Sequence, residues 1–330
     1  MTEKRFTVEQ YKSGILNGDR AVLGRAITLI ESSLAKDEAL AAKLINSILP
    51  FTGKSFRIGI SGIPGAGKST FIEALGTHLI AEQKKVAVLA IDPSSKLSGG
   101  SLLGDKTRMN ELVRSELAFI RPTPANETLG GVAGKTYETI LLCEAAGFDY
   151  ILIETVGIGQ SETEVFSLTD LFLLLMISGM GDELQTMKKG VMELADLILI
   201  NKADDNNKEN ALAAAAEIKN TLHIFSNTAA KTSPTVMTCS SKTGEGIDSI
   251  ATWMEEFRQN AQADGRWGKK RVNSTLHRLY KEIQYNLERD FFNTPSVQKK
   301  LKSIENELAE GKLTSHAAAL LLLKNYKQKK

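Results

Sequence analysis

Residues 62–69 read GIPGAGKS, which fits GxxxxGK[ST]. Each residue type in that run suits phosphate chemistry. Glycines let successive backbone N–H groups wrap a phosphate, and a helix start behind them adds positive potential. In this reading Gly62, Ile63, Pro64, Gly65, Ala66 and Gly67 form the cradle. Lys68 reaches the β/γ-phosphates, Ser69 ligates Mg²⁺ and Thr70 lies near the α-phosphate. A second group follows about 130 residues later, NKAD at 201–204. A carboxylate at Asp204 can accept from guanine N1–H and the exocyclic amine together. Adenine has a lone pair at N1 and no amine there, so the same carboxylate rejects it. Asn201 and the stem of Lys202 support the base loop. CSSKTG at 239–244 is similar to loops whose backbone N–H meets guanine O6, with Ser241 in place of the usual alanine and Ser240 and Lys242 on either side. The two loops together favour GTP over ATP.

Acidic residues supply the metal and water chemistry. ETVG at 154–157 fits [DE]xxG, in which the acid holds Mg²⁺ through water and the glycine N–H meets the γ-phosphate. Glu154 stands for the commoner aspartate, and Gly157 is the sensor. No glutamine follows Gly157 directly, so water positioning of the Ras kind is not expected. Asp92 begins a segment rich in Gly and Ser that includes Asp105, and either carboxylate could reach Mg²⁺ or the attacking water. Asp92 also reads as a helix cap ahead of Pro93.

These residues need a scaffold that brings them to one edge. FRIGIS, KVAVLAI, YILIET, LFLLLMI, DLILIN and TVMTCS are continuous apolar runs separated by helical stretches. Such runs suit parallel strands buried on both faces. The fold class is therefore α/β, a P-loop NTPase with a mostly parallel central sheet flanked by helices and with helical extensions at both ends. Residues 1–53 read as an N-terminal helical extension, with a capping box at Thr7 and Gln10 and a turn at 17–19. Residues 54–258 read as the nucleotide domain. Residues 259–330 read as a C-terminal helical arm after a hinge at GRWG. In the arm, Val272, Leu276, Leu279, Ile283, Leu287 and Phe291 step by three or four along one face. Ser315 is placed to cap the last helix. The arm either forms a dimer contact or folds back on the nucleotide domain.

Composition narrows the class. The chain has 330 residues, 42% hydrophobic and 24% charged, enough for one large domain with appendages. No apolar run is long enough to span a bilayer, and no signal-peptide pattern opens the chain. Two distant cysteines and four scattered histidines give neither a disulfide framework nor a zinc spacing, and a reducing cytoplasm is expected. From Arg266 onward 15 Lys/Arg face 6 Asp/Glu. Without interleaved aromatics this basic tail reads as solvated helix faces, not a nucleic-acid surface.

Taken together, GIPGAGKSTF, AIDPSS…SGGSLLGDKTRM, FIRPTP, ETVGIGQSETEV, GDELQTMKKGVMELADLILINKAD and TCSSKTGEGID resemble the MeaB/ArgK-type GTPases. The resemblance implies a SIMIBI-class GTPase, usually homodimeric, that serves an adenosylcobalamin-dependent acyl-CoA mutase such as methylmalonyl-CoA mutase. It implies GTP-gated delivery of intact cofactor and ejection of damaged cofactor. It also implies that SGMGDELQTMKKG at 178–190 is a third switch, with Asp182, Gln185 and Lys188 as working residues and Met180 replacing the more usual glycine. Two other classes stay open: an ATP-dependent kinase or transport ATPase, a label ArgK-type proteins have carried, and a nickel-insertion GTPase. The first is opposed by NKAD, the second by the lack of a Cys/His cluster.

Overall fold

A computed structural model describes residues 6–32, 34–92, 109–124, 131–155, 162–179, 189–225 and 233–327. Seven strands form one sheet: β1 (Phe56–Gly62), β2 (Val86–Asp92), β3 (Ala118–Pro124), β4 (Tyr150–Thr155), β5 (Leu171–Ile177), β6 (Leu197–Asn201) and β7 (Thr235–Thr238). Their order is β3-β2-β4-β1-β5-β6-β7, and every pairing is parallel. The expected "mostly parallel" sheet is thus all-parallel among the described strands. Six of the seven coincide with the apolar runs, because a parallel strand covered on both faces has no polar side to alternate. The seventh, β3, was not expected. Its sequence AFIRPTP carries Pro122 and Pro124, which speak against a central strand. It lies at the sheet edge, where a missing N–H costs no ladder bond.

Before the sheet come α1 (Val8–Leu16), α2 (Arg20–Glu31) and α3 (Ala35–Ile48). The capping box forms: Thr7 Oγ1 accepts from Gln10 N at 3.2 Å, and Gln10 Oε1 accepts from Thr7 N at 2.8 Å. Asp19 then caps α2 through Ala21 N and Val22 N. These helices do not stand apart. Ile15, Leu23, Ile27, Leu44 and Ile48 join Leu89, Ile151, Ile153, Phe172 and Leu174 in one core on one face of the sheet. Each such side chain contributes about 1.5–3 kcal/mol by leaving water.

The opposite face is covered by α4 (Lys68–Ala81), α5 (Asn110–Arg114) and α10 (Ile247–Ala263), where Phe71, Leu75, Ile250 and Met254 meet Ile58, Ile60 and Leu173. The remaining helices are α6 (Gly131–Ala145), α7 (Glu162–Leu168), α8 (Lys189–Leu194), α9 (Lys208–Phe225), α11 (Arg266–Asn293), α12 (Pro295–Ala309) and α13 (Ser315–Lys327).

The chain divides into two compact units, up to Ser274 and from Thr275. The first is closed at the N-terminal edge of its sheet by buried charges. Arg57 Nε donates to Glu144 Oε1 at 2.8 Å. Asp170 accepts from Arg57 N at 2.9 Å and from Arg271 Nε and Nη2 at 2.8 and 2.7 Å. Arg271 also donates to the carbonyls of Gly53 and Ser55.

In the second unit α12 and α13 pack through Val297, Ile304, Ala318 and Leu322. Phe291 joins this cluster, its ring 5.3 Å from Tyr326, and so parts from the other residues expected along one helix face. Leu276, Leu279, Ile283 and Leu287 stay 46–58% exposed. The last helix is capped by Thr314, whose Oγ1 accepts from Ala317 N at 3.3 Å, and not by Ser315. The two hydroxyls are adjacent, and only the fold decides which lies outside the first turn. Among the described residues no helix is long and apolar enough to cross a membrane.

Candidate nucleotide site

From β1 the chain runs outward to both edges of the sheet, leaving a crevice at the carboxyl ends of the central strands. Such crevices receive ligands in open α/β sheets. The loop from Gly62 to Gly67 joins β1 to α4 there. Two of its glycines are required by space. At Gly62 (φ 156°) a Cβ would lie 2.3 Å from the Leu175 carbonyl oxygen, and at Gly67 (φ 89°) 2.7 Å from Asn201 Nδ2. Pro64, Gly65 and Thr70 are exposed at the mouth, and Ala66 is buried beneath. Lys68, only 8% exposed, folds back so that Nζ donates to the carbonyls of Gly62 at 2.8 Å and Ile63 at 3.2 Å. Burial lowers its pKa, and the Glu154 carboxylate offsets part of that. The ammonium is thus held inside the loop by acceptors weaker than a phosphate.

Ser69 Oγ lies 3.4 Å from Glu154 Oε1, and Glu154 is buried at the end of β4. The next residue, Thr155, donates to Ser61 Oγ at 3.0 Å, which locks the ends of β4 and β1 together. A hydroxyl and a carboxylate side by side are hard oxygen donors that fit Mg²⁺. Asp92 ends β2. Asp105, Gly157, Asp182, Gln185 and Lys188 lie outside the described residues, so their expected roles rest on the sequence.

At the far side of the crevice the base loops meet. Asn201, 1% exposed, ends β6. Its Nδ2 donates to the Ala66 carbonyl at 2.8 Å. Its Oδ1 accepts from Ser241 N at 3.0 Å and Ser241 Oγ at 2.8 Å. One carboxamide therefore ties the phosphate loop to the 239–244 loop. Lys202 adopts a left-handed φ of 61°, which turns the chain so that Asp204 comes beside Ser240. Ser240 Oγ donates to Asp204 Oδ2 at 2.7 Å and accepts from Thr243 N at 3.2 Å. Lys202 and Lys242 are exposed above this pair.

The structure thus brings Gly62–Thr70, Glu154, Asn201–Asp204 and 239–244 to one edge. It also adds a residue that sequence reasoning missed. Asn207 Nδ2 donates to the Lys202 carbonyl at 2.7 Å, and its Oδ1 accepts from Ser178 Oγ at 2.8 Å. It links the base loop to the start of the 178–190 segment. In DDNNK nothing marks it, since its partners are set by the fold alone.

A glycine cradle between the central strand of a parallel sheet and the following helix, facing an Asp-bearing base loop, defines a P-loop NTPase of the guanine-nucleotide type. Residues 23–296 match the family model described as methylmalonyl Co-A mutase-associated GTPase MeaB. A putative GTPase of Caulobacter vibrioides is 46% identical over 96% of this chain and 97% of its own length. The GTPase ArgK of Escherichia coli is 48% identical over 81% of each. The mouse methylmalonic aciduria type A homolog, named as mitochondrial, is 42% identical over 99% of this chain and 81% of its own. A crystal structure titled LAO/AO transport system kinase superposes with a TM-score of 0.78 at 35% identity, covering 99% of this chain and 100% of that one. The chain belongs to the MeaB family of mutase-associated GTPases. It is a GTPase, with GTP and GDP as its nucleotides and Mg²⁺ as its metal.

Proposed function

We propose that this GTPase gates the loading of adenosylcobalamin into an acyl-CoA mutase of the methylmalonyl-CoA mutase type, and protects the loaded enzyme. The observation that carries the reading is a built guanine site in a chain of the mutase-associated family. Lys68 leaves the Gly62 and Ile63 carbonyls for the β/γ-phosphates, exchanging neutral acceptors for anionic ones. Ser69 and Glu154, with Asp92 and Asp105, hold Mg²⁺, which offsets charge on the phosphate oxygens. Gly157 senses the γ-phosphate. Asp204 selects guanine, and Asn201 keeps the base and phosphate loops in one frame. No glutamine adjoins Gly157, so isolated turnover is slow and a mutase partner raises it.

The nucleotide state reaches that partner through the 178–190 segment, by Asp182, Gln185 and Lys188. The tie between Ser178 and Asn207 supports this route, since it connects the segment's start to the base loop. The protein works as a homodimer. The support is the apolar stripe Leu276–Leu287, since a soluble chain gains by covering such a face. We divide it as a helical N-terminal segment (1–53), a GTPase domain (54–258) and a dimerising arm (259–330). The two buried free thiols, Cys143 and Cys239, suit a reducing cytoplasm. The kinase name of the solved relative suggests ATP as a second reading. Asp204, oriented by Ser240, opposes it.

The test is transfer of adenosylcobalamin from its donor to an acyl-CoA mutase, with GTP, GDP or a non-hydrolysable GTP analogue. Dependence on GTP hydrolysis supports the proposal. Transfer and mutase survival that ignore this protein and its nucleotide state refute it.

A further inference from the structure

We propose that a cavity among the N-terminal helices, sharing no residue with the nucleotide crevice, binds a small organic monocarboxylate with an apolar body. The cavity, of about 500 Å³, is lined from α1, α2, the first turn of α3 and the edge strand β3. That volume suits a small-molecule ligand. Its long wall is one face of α2 and its cap, where Ala21, Gly24, Arg25, Thr28, Leu29 and Ser32 recur at helical spacing. Another face of the same helix, with Leu23, Ala26, Ile27 and Ile30, is buried in the core. Gly24 is the position that points to an occupant. It stands in the middle of the helix, where glycine loosens the backbone relative to alanine. Close packing does not demand it: among the described residues, a Cβ there would meet nothing within 4 Å outside its own stretch of helix. What Gly24 keeps is free space on the cavity wall.

The lining selects the ligand. Phe6 and Tyr11, with ring centroids 5.3 Å apart, offer an apolar seat. Arg25 stacks on Phe6, its guanidinium carbon 5.1 Å from the ring centroid. A second guanidinium, that of Arg121, comes from β3. Its Nη2 donates to Glu31 Oε2 at 2.5 Å and to Thr28 Oγ1 at 3.4 Å, while its Nε has no acceptor among the described residues. Arg121 is therefore fixed in place without being saturated, and a guanidinium fork matches a carboxylate. Charge sets the limit. Glu31 offsets Arg121, and the buried Asp37 carboxylate, which accepts from Ser32 Oγ at 2.6 Å, also lines the cavity. One negative charge is attracted there and a second is repelled, which favours a carboxylate over a phosphate dianion. The carboxylate belongs at Arg25 and Arg121, and the apolar body on Phe6 and Tyr11.

The probe is phenylacetate, titrated at mildly alkaline pH into GDP-saturated protein labelled with ¹⁵N at glycine. Neutral phenylacetamide and dianionic phenyl phosphate are the controls. The Gly24 amide should shift saturably, with a Kd of about 1 mM or tighter for a ligand of this size. The amides of Gly65 and Gly67, in the occupied phosphate loop, should stay still. Each control should bind at least about tenfold more weakly than phenylacetate. Arg25→Ala, at an exposed position, should weaken phenylacetate roughly ten- to a hundredfold. Gly24→Leu should fill the cavity and abolish binding without lowering the urea midpoint, since leucine is the better helix former. Arg25→Ala carries the test independently of that variant. Binding of phenylacetamide as tight as that of the acid, shifts at the phosphate loop in place of Gly24, or no binding by any probe overturns the proposal. Phenyl phosphate binding more tightly than phenylacetate also overturns it, because the site would then read phosphate.

Discussion

Replacing Asp204 by Asn should convert guanine selectivity into xanthine selectivity, and the structure says why the amide would be oriented to do so. Ser240 Oγ already accepts from Thr243 N, so its one proton is directed at the oxygen of residue 204. A substituted amide that still accepts this proton turns its oxygen to Ser240, which leaves its NH₂ facing the base. Guanine N1–H and its amine then meet a donor. Two charge-assisted bonds are lost, each about 1.5–3 kcal/mol by mutational experience. Part of that returns through water and relaxation, so a net loss of about 2–4 kcal/mol is expected, roughly thirty- to a thousandfold in GDP affinity. Xanthine carries a carbonyl where guanine has the amine, and that carbonyl accepts from the new NH₂. XDP should therefore bind the variant more tightly than GDP does. Isothermal titration of both proteins with GDP, XDP and ADP measures this directly. A variant that still prefers GDP to XDP would show that Asp204 does not read the base.

Lys68→Ala should abolish hydrolysis and weaken GTP much more than guanosine, because Lys68 is the one side chain the loop aims at the β/γ-phosphates; single-turnover assays and titrations with both ligands check it. Burial holds the Lys68 pKa below the usual lysine value, and arriving phosphates should raise it again. GTP binding should then take up a proton on the alkaline side, between the depressed pKa and about 10.5, and none near neutrality. Titrations in buffers of different ionisation heat read the uptake. By the same sign, the unfolded chain holds this proton more tightly than the nucleotide-free fold, so Lys68 favours stability as pH rises through that window. Glu144→Gln strips the carboxylate from the buried group with Arg57 and Arg271 and should cost about 3–5 kcal/mol in urea unfolding. Lys188→Ala should leave GTP affinity intact while the GTPase rate stops responding to added mutase.

What the sequence revealed follows physical locality. The phosphate loop was legible because its chemistry needs contiguous residues, and Gly62 and Gly67 are fixed by contacts that only glycine permits. The strands were legible as apolar runs, apart from β3, whose prolines are tolerated only because it is an edge. Asp204 was legible as a candidate because a carboxylate after NKA would have a distinct partner in guanine, and the structure places it beside Ser240. The direction of the Ser241 donors was not. Whether that N–H points outward or into Asn201 depends on where β6 places its last residue, 40 positions away in the chain. Asn207 was hidden for the same reason. Phe291 fitted the helical spacing of the exposed stripe, but the spacing could not foresee the turn at Asn293 that brings α12 and α13 against it.

The same contacts set what a nucleotide can change. Ala66, Asn201 and Ser241 form a continuous chain of hydrogen bonds of 2.8–3.0 Å across the crevice, so the base and phosphate halves of the site cannot separate without stranding a buried carboxamide. That part of the molecule is poor material for a switch. Lys68 is different. Its two carbonyl partners are neutral and belong to its own loop, and an arriving phosphate should outcompete them. A relay needs an element whose contacts differ between two states. The braced base loop supplies a fixed platform, and Asn207 ties Ser178, at the root of the 178–190 segment, to that platform. If the segment is the relay proposed above, Ser178 at its root is held to this braced loop. For that reason Asn207→Ala should blunt the response of hydrolysis to a mutase while leaving GDP affinity within about twofold, since it removes the anchor and no contact to the base.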